Sequence, residues 1–357
     1  MRIINKLSEI RNRTHQYINN HQYLFCVLII LIICIFEIRL ITLIHINNNG
    51  GGAAAAEGIL HGTPHWRTTQ NRILGPAVVG LISNITGSPF FNCYRSVIWS
   101  LLIIANVLSF NIFLLLTKDK KLALKYSFLF AVLFLFIQNR DWLFIWDFID
   151  LIVFLLFAYG IFNTIKLHYL VILFVVCLLN KENALYIGLW IFMDSFNFHN
   201  KIPTKVVDII RRTNLNYCKL ILGSLLIVGG MIYAKLIRDA LFVQSMLPGV
   251  GYDLDHALWG QHFQATPNLY ALVKITINFH FIEFVVPVIL FIVPLYFIYK
   301  MKINELSIKV MFLFLFMVIT IFVFGNITET RIFCILIPFA LMLNLYFGDQ
   351  IVSSNQK

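Results

Sequence analysis

Charge is scarce in this chain. Asp, Glu, Lys and Arg make up 13% of its 357 residues, about half the roughly 25% usual in soluble domains. That scarcity excludes a soluble globular enzyme and a disordered chain. Cysteines at metal or redox spacing are missing too. The six present (Cys26, Cys34, Cys93, Cys177, Cys218 and Cys334) form no CxxC and lie mostly in or beside apolar stretches. They read as small packing residues, not as a disulfide scaffold or a ligand set. There is no GxSxG elbow, no P-loop and no dinucleotide fingerprint, so soluble nucleotide chemistry is not expected. Nor is an internal repeat visible.

Apolar residues are abundant instead. They are 59% of the chain, and mean hydropathy is +0.81. The apolar runs are long and continuous, which fits spanning helices and not the alternation of a β-barrel. The expected fold is therefore an all-α, polytopic membrane helical bundle, a single transmembrane domain over 1–357 with membrane lipids around it. About ten transmembrane helices are predicted, near 23–46, 93–117, 121–137, 144–163, 167–180, 184–198, 219–238, 277–299, 308–324 and 332–348. No small-residue cleavage site follows the first run directly, so that run is expected to stay as a span.

The net charge of +11 reads as a topology signal, with no nucleic acid as partner, because cytoplasmic loops collect Lys and Arg. With the N-terminus inside, the inner segments hold 18 of the 28 Lys and Arg residues, which supports cytoplasmic N- and C-termini. Two long outer segments result, 47–92 and 239–276. Ile73–Gly87 is apolar but short, and is expected to lie as an interfacial helix in the first. Asn47–Ala56 is low-complexity and is expected to be a flexible start to that loop.

The polar clusters all fall on the outer face in this threading. They are Glu57, His61, His65, Arg67 and Arg72; Asn139, Arg140 and Asp141; Asn180, Lys181, Glu182 and Asn183; Asp253, Asp255 and His256; and Asn326, Glu329 and Arg331. Five clusters on one side point to a single polar site at the membrane boundary. Ionisable groups at membrane depth cost roughly 2.5–3.5 kcal/mol each, so they need a reason to be there. Lys181 and Glu182 are adjacent and do not face each other on a helix; each is expected to find another partner, such as an anionic ligand, Arg331 or Asp141. Arg72, Lys181 and Arg331 together would neutralise a phosphate or pyrophosphate; inter-span salt bridges are the alternative. Asp147 and Asp150 share one helix face and would line a cavity or pair with Arg140. Asp253 and Asp255 form a weak candidate divalent-cation site, and His61 and His65 lack the glutamate of a zinc motif. No metal site is otherwise expected.

Three windows resemble a family. The first outer loop reads AAAAEGILHGTPHWRTTQNRILGPAVVGLIS. It resembles the loop of multi-span glycosyltransferases of the GT-C class, with Gly62, Pro64, Arg72, Leu74 and Pro76 in the motif positions and His65 and Trp66 where an aromatic pair stands. Asn180 to Ala184 resembles the N-K-E-T-A break of bacterial members, and Glu329, Arg331 and Pro338 resemble their late E-x-R…P turn. The resemblance implies transfer of a sugar from a polyprenyl-phosphate sugar donor to a glycan or lipid acceptor at the non-cytoplasmic face of a bacterial inner membrane. It implies that Arg72, Lys181 and Arg331 bind phosphate, with Arg140, Glu329, His65 and Trp66 in support. The family's acidic residue after the first span is replaced here by Asn48, so the base is left among Glu57, Glu37, Glu182 and Asp141, or is absent. A transporter or flippase for a lipid-linked or anionic solute remains the alternative reading. A polysaccharide polymerase or ligase is a further one, although 239–276 carries only Lys274 where such enzymes need an Arg-rich loop.

Overall fold

The computed structural model describes residues 2–45, 49–65, 69–138, 143–198, 213–244, 264–278, 281–300, 305–325, 327 and 329–354. These are helical apart from connecting loops, short 3-10 turns and one two-stranded ribbon. The helices are α1 (Arg2–Ile44), α2 (Asn49–Leu60), α3 (Leu74–Thr86), α4 (Phe90–Thr117), α5 (Lys120–Ile137), α6 (Ile145–Phe162), α7 (Leu167–Asn180), α8 (Leu185–Met193), α9 (Tyr217–Leu241), α10 (Ala265–Asn278), α11 (Phe281–Lys300), α12 (Glu305–Phe324) and α13 (Leu336–Ser354). The ribbon pairs β1 (Phe196–Phe198) antiparallel with β2 (Thr213–Leu215). Helices occupy the stretches expected to be apolar and helical, except that the span expected at 184–198 is cut short: α8 ends at Met193 and Phe196–Phe198 is strand β1. Among the described residues, five are long and apolar enough to cross a membrane: His21–Ile44, Phe90–Thr117, Ile145–Phe162, Tyr217–Leu241 and Glu305–Phe324. The chain is a helical membrane protein.

Burial orders the bundle. In α6, 83% of the residues are buried, against 17% of the 18-residue apolar stretch within α9, so α6 is the axis and α9 lies at the periphery. Phe148 of α6 meets Phe134 of α5 edge-on at 5.2 Å, and Phe157 of α6 meets Phe339 of α13 at 5.7 Å. T-shaped pairs of this kind favour the positive ring edge against a negative face. Helix α9 turns Ile221, Leu225, Val228 and Ile232 outward, the apolar exterior that lipid requires.

Contacts fix which helix ends lie together. At one end, here called proximal, are the end of α1 (His45 Nε2 donates to the Gln138 carbonyl at 2.7 Å), the starts of α4 and α6, and the end of α7. At the distal end, Lys120 reaches Gln22 at 3.5 Å, Tyr126 donates to Asn344 at 3.1 Å, and Phe162 packs on Tyr346. Residues near both ends of the chain thus lie distally. Helices α8 and α9 form a tight antiparallel pair. A Cβ on Gly223 would stand 2.5 Å from the Phe192 amide nitrogen, so glycine is required there for the close approach small residues allow in membranes. Helices α7 and α8 are only 14 and 9 residues long, whereas α9 has 25.

One expectation is corrected. Low-complexity Asn47–Ala56 is not a flexible loop start over its described part: from Asn49 it forms α2, with Ala53, Ala55, Ala56 and Ile59 buried. Alanine is the best helix former, and tertiary contact offsets the cost of the glycines. Gly52 abuts the Leu143 carbonyl and the Tyr94 hydroxyl so closely that no Cβ fits. Helix α3 stands where an interfacial helix is expected; it buries Gly75, Pro76 and Val79 and bares Val78, Leu81 and Ile85.

Inside α1, Glu37 is buried and accepts a 2.8 Å hydrogen bond from Asn106 of α4. Its second oxygen has no partner among the described residues. The pair ties the two helices where water is absent. Glu37→Gln keeps a carbonyl for Asn106 and is expected to hold wild-type stability or exceed it. Glu37→Ala leaves one N–H of the Asn106 amide without its acceptor, the amide keeping its 3.1 Å bond to the Leu102 carbonyl, and is expected to cost about 1–3 kcal/mol. Thermal unfolding in detergent of the two variants side by side checks the contrast.

Candidate functional site

The site begins at the first turn of α6. No side chain caps that helix from its N-cap residue, Phe144. Tyr94 takes over: its hydroxyl donates to the Leu143 carbonyl at 2.7 Å and accepts from the Ile145 N–H at 3.1 Å. One phenol thereby satisfies two backbone groups that would otherwise be orphaned. Asp147 follows in the first turn, where the helix dipole favours a negative charge. Asp150 is one turn on, on the same face. Both are fully buried.

Cations from two distant breaks close on this pair. Helix α7 ends at Lys181, whose backbone turns extended (φ −168°, ψ 159°). Its ammonium lies 3.5 Å from Asp147 Oδ1 and 3.8 Å from Asp150 Oδ2. Arg331, in the 3-10 turn Thr330–Ile335, donates from Nη1 to Asp147 Oδ2 at 2.8 Å and from Nη2 to Glu329. Thr330 pins that turn by donating to the Ile137 carbonyl at 2.6 Å. Two amides complete the shell: Asn180 donates to Asp150 Oδ1 at 2.7 Å and to the Trp146 carbonyl at 2.8 Å, and Asn183 donates to Asp150 Oδ2 at 2.6 Å.

Aromatic rings form the second wall. Phe144 and Trp146 stack at 4.5 Å, with the Arg331 guanidinium 4.3 Å above Phe144 and that of Arg72 5.0 Å from the Trp146 ring centre. Stacking on a ring face suits the planar guanidinium. Arg72 is pushed down to about 10, first by burial and then by Arg331, so it stays charged at neutral pH. Its Nε and the indole N–H of Trp146 are buried donors with no partner among the described residues.

The neighbouring loops are tied in. Arg238, near the end of α9, pairs with Glu182 and donates from Nε to Asn71 at 3.3 Å. Val243 donates its N–H to the Gly62 carbonyl at 2.7 Å, which joins the stretch after α9 to the first proximal loop.

Three of the five polar clusters thus come together: Arg72, Lys181 with Glu182, and Glu329 with Arg331. Lys181 and Glu182 do take separate partners, Asp147 and Arg238. Glu57 stands exposed on α2. His65 is buried, and burial lowers its pKa. Trp66, Arg140, Asp141, Asp253, Asp255 and His256 lie outside the described residues. Among the described residues no group of three His, Cys, Asp or Glu could hold a metal ion. Sequence reasoning noted Asp147 and Asp150 but not that they anchor the site, and it missed Tyr94, Phe144 and Trp146. The signal available was the run of aromatics around two acids at i and i+3. No family model, curated protein or solved structure matches the chain.

Proposed function

We propose that the chain is a membrane glycosyltransferase of GT-C type that moves a sugar from a polyprenyl-phosphate donor to a glycan or lipid acceptor. The observation that carries this reading is the meeting of Arg72, Lys181 and Arg331, from three separate segments, around the start of α6. Three cations at one helix start suit a phosphate that gains charge as it leaves. Asp147 holds Lys181 and Arg331 together against their mutual repulsion. Arg72, stacked on Trp146 with a buried donor to spare, makes the first contact with the donor phosphate.

In this reading the five helices long and apolar enough to cross a membrane are joined by shorter ones to make the ten expected passes, alternating between proximal and distal ends. Segments joining them distally carry the Lys and Arg excess, so the distal end and both termini are cytoplasmic and the site opens on the far side of a bacterial inner membrane. Transporter sites lie near mid-membrane between repeated halves. Here the charges gather at helix ends and the sequence shows no internal repeat, which favours transfer over transport.

In the reaction, the acceptor oxygen attacks the sugar's anomeric carbon as the bond from that carbon to the phosphate oxygen breaks. The bond electrons leave with the polyprenyl phosphate, and a carboxylate takes the acceptor's proton. Glu57 is the leading base, being exposed and without an ion-pair partner among the described residues. Glu182 is engaged by Arg238 and ranks behind it, beside Asp141.

The test is sugar transfer by the purified protein in detergent, with a panel of polyprenyl-phosphate sugars and candidate acceptors. Lys181→Ala and Arg331→Ala are expected to lose about 100-fold or more. Glu57→Gln is expected to lose about 100-fold while unfolding at the wild-type temperature, which separates chemistry from folding. Full activity in Glu57→Gln would move the base elsewhere. No transfer across the panel, with protein-dependent movement of labelled lipid across liposomes, would replace the transferase reading by the flippase.

A further inference from the structure

Lys181 and Arg331 are held by carboxylates, the first by Asp147 and Asp150, the second by Asp147 and Glu329. Arg72 makes no such ion pair among the described residues. Its guanidinium lies over the Trp146 ring instead, and Trp146 stacks on Phe144, over which Arg331 sits. The two rings are nearly parallel, 17° apart. Two cations thus share one aromatic pair, each against the negative face of a ring.

A ring engaged through its face leaves its edge for other contacts. Trp146 is 1% exposed, and its backbone is fixed too, its carbonyl accepting from Asn180 at 2.8 Å. Yet its indole N–H meets no acceptor among the described residues, and neither does Nε of the adjoining Arg72. Buried indole N–H groups ordinarily have a partner, and leaving one unmade is costly. The carboxylates nearby do not serve these donors. The Asp147 oxygens turn to Lys181 and Arg331, and those of Asp150 to Asn180, Asn183 and Lys181.

We propose that Trp146 is a substrate-contact residue: its indole N–H and Arg72 Nε together hold one phosphoryl group, each donating to an oxygen of it. The inference rests on the polyprenyl-phosphate reading above and divides the work among its residues. Both groups only donate, and one is a cation, so the ligand that fits is an anion with several acceptor oxygens. A phosphate ester supplies these and keeps one oxygen for the lipid. Arg72 and Trp146 hold it with donors that no carboxylate occupies, while Lys181 and Arg331 stay anchored on Asp147.

The test uses the full-length chain in detergent with its indoles isotope-labelled for NMR. The chain has six Trp, and Trp146→Phe, which keeps a ring between Phe144 and Arg72, identifies the signal it removes. Farnesyl phosphate is expected to move the Trp146 N–H proton downfield. Farnesol at the same concentration is expected to leave it in place, and inorganic phosphate to move it only at far higher concentration. By calorimetry, Trp146→Phe and Arg72→Gln are each expected to weaken farnesyl phosphate binding about 10-fold. Should Trp146→Phe fail to fold, Phe variants of the other Trp residues identify the signal by exclusion, and the wild-type shift decides. Farnesyl phosphate bound through Arg72 with the Trp146 signal unmoved would overturn this inference and leave the transferase reading standing. No binding of farnesyl phosphate would overturn both. An equal response to farnesol, or to inorganic phosphate at the same concentration, would overturn the inference by assigning the site to the prenyl chain or to free phosphate.

Discussion

Asp147→Ala is expected to lower the unfolding free energy by about 3–5 kcal/mol, the cost of stranding buried charge. Asp147 is fully buried, and its two oxygens serve Lys181 and Arg331 separately. Without it, Lys181 is left with the longer contact to Asp150, and Arg331 leans on Glu329. Two largely buried cations then face each other with their shared counter-ion gone. The double variant Asp147→Ala/Arg331→Met removes one of those charges along with its counter-ion and is expected to recover part of the loss. The comparison is a double-mutant cycle read by denaturant or thermal unfolding in detergent micelles. A single variant within about 1 kcal/mol of wild type would mark the pair as solvated, as surface ion pairs are.

Gly52→Val is expected to cost about 3 kcal/mol or more, the upper range for forcing atoms into a packed interior. The added Cβ would collide with the Leu143 carbonyl, which does not move as a side chain does, and with the Tyr94 hydroxyl. Those two groups are already bonded to each other, and Tyr94 also caps Ile145. The clash therefore reaches the start of α6 and Asp147 beyond it. Loss of transfer activity and of thermal stability together is the expected signature. Gly50→Ala, where nothing lies within 4 Å of the new methyl, serves as the control and is expected to be neutral or slightly stabilising.

Much of the architecture is legible in the residues alone, because lipid imposes a coarse rule that composition reveals. Most apolar stretches became helices, although the one expected at 184–198 ends in strand β1, and the break at Lys181 appeared where Asn180–Asn183 interrupts the run. The opposed fates of Lys181 and Glu182 also follow from local geometry alone. Less visible was α2. Its sequence reads as low complexity, but its stability comes from close packing that small residues permit, and that depends on what stands opposite. The partnership of Asp147 with Arg331 was hidden for a similar reason. The two are 184 positions apart, and no local pattern encodes such a distance. Arg140 was the nearer and therefore more obvious partner. Glu37 shows the same limit: its place in the first span was evident, whereas Asn106 as its partner required the α1–α4 interface.

The shortness of α7 and α8 has a consequence for the membrane itself. At 1.5 Å per residue, their 14 and 9 residues extend about 21 and 14 Å, against a hydrocarbon core of about 30 Å. Helix α7 nonetheless turns Tyr169, Ile172 and Val175 outward, so lipid tails must meet this flank. A flank this short is matched by thinning the bilayer beside it, by flanking side chains that reach the interface or by association with another helix, and such hydrophobic mismatch costs fractions of a kcal/mol per Å. Where thinning is the route, the headgroup layer and its water are drawn down toward Lys181. Bilayer thickness thereby becomes a mechanical input to the ion cluster: longer acyl chains press hydrocarbon against Lys181 and Asn183, and shorter ones relieve it.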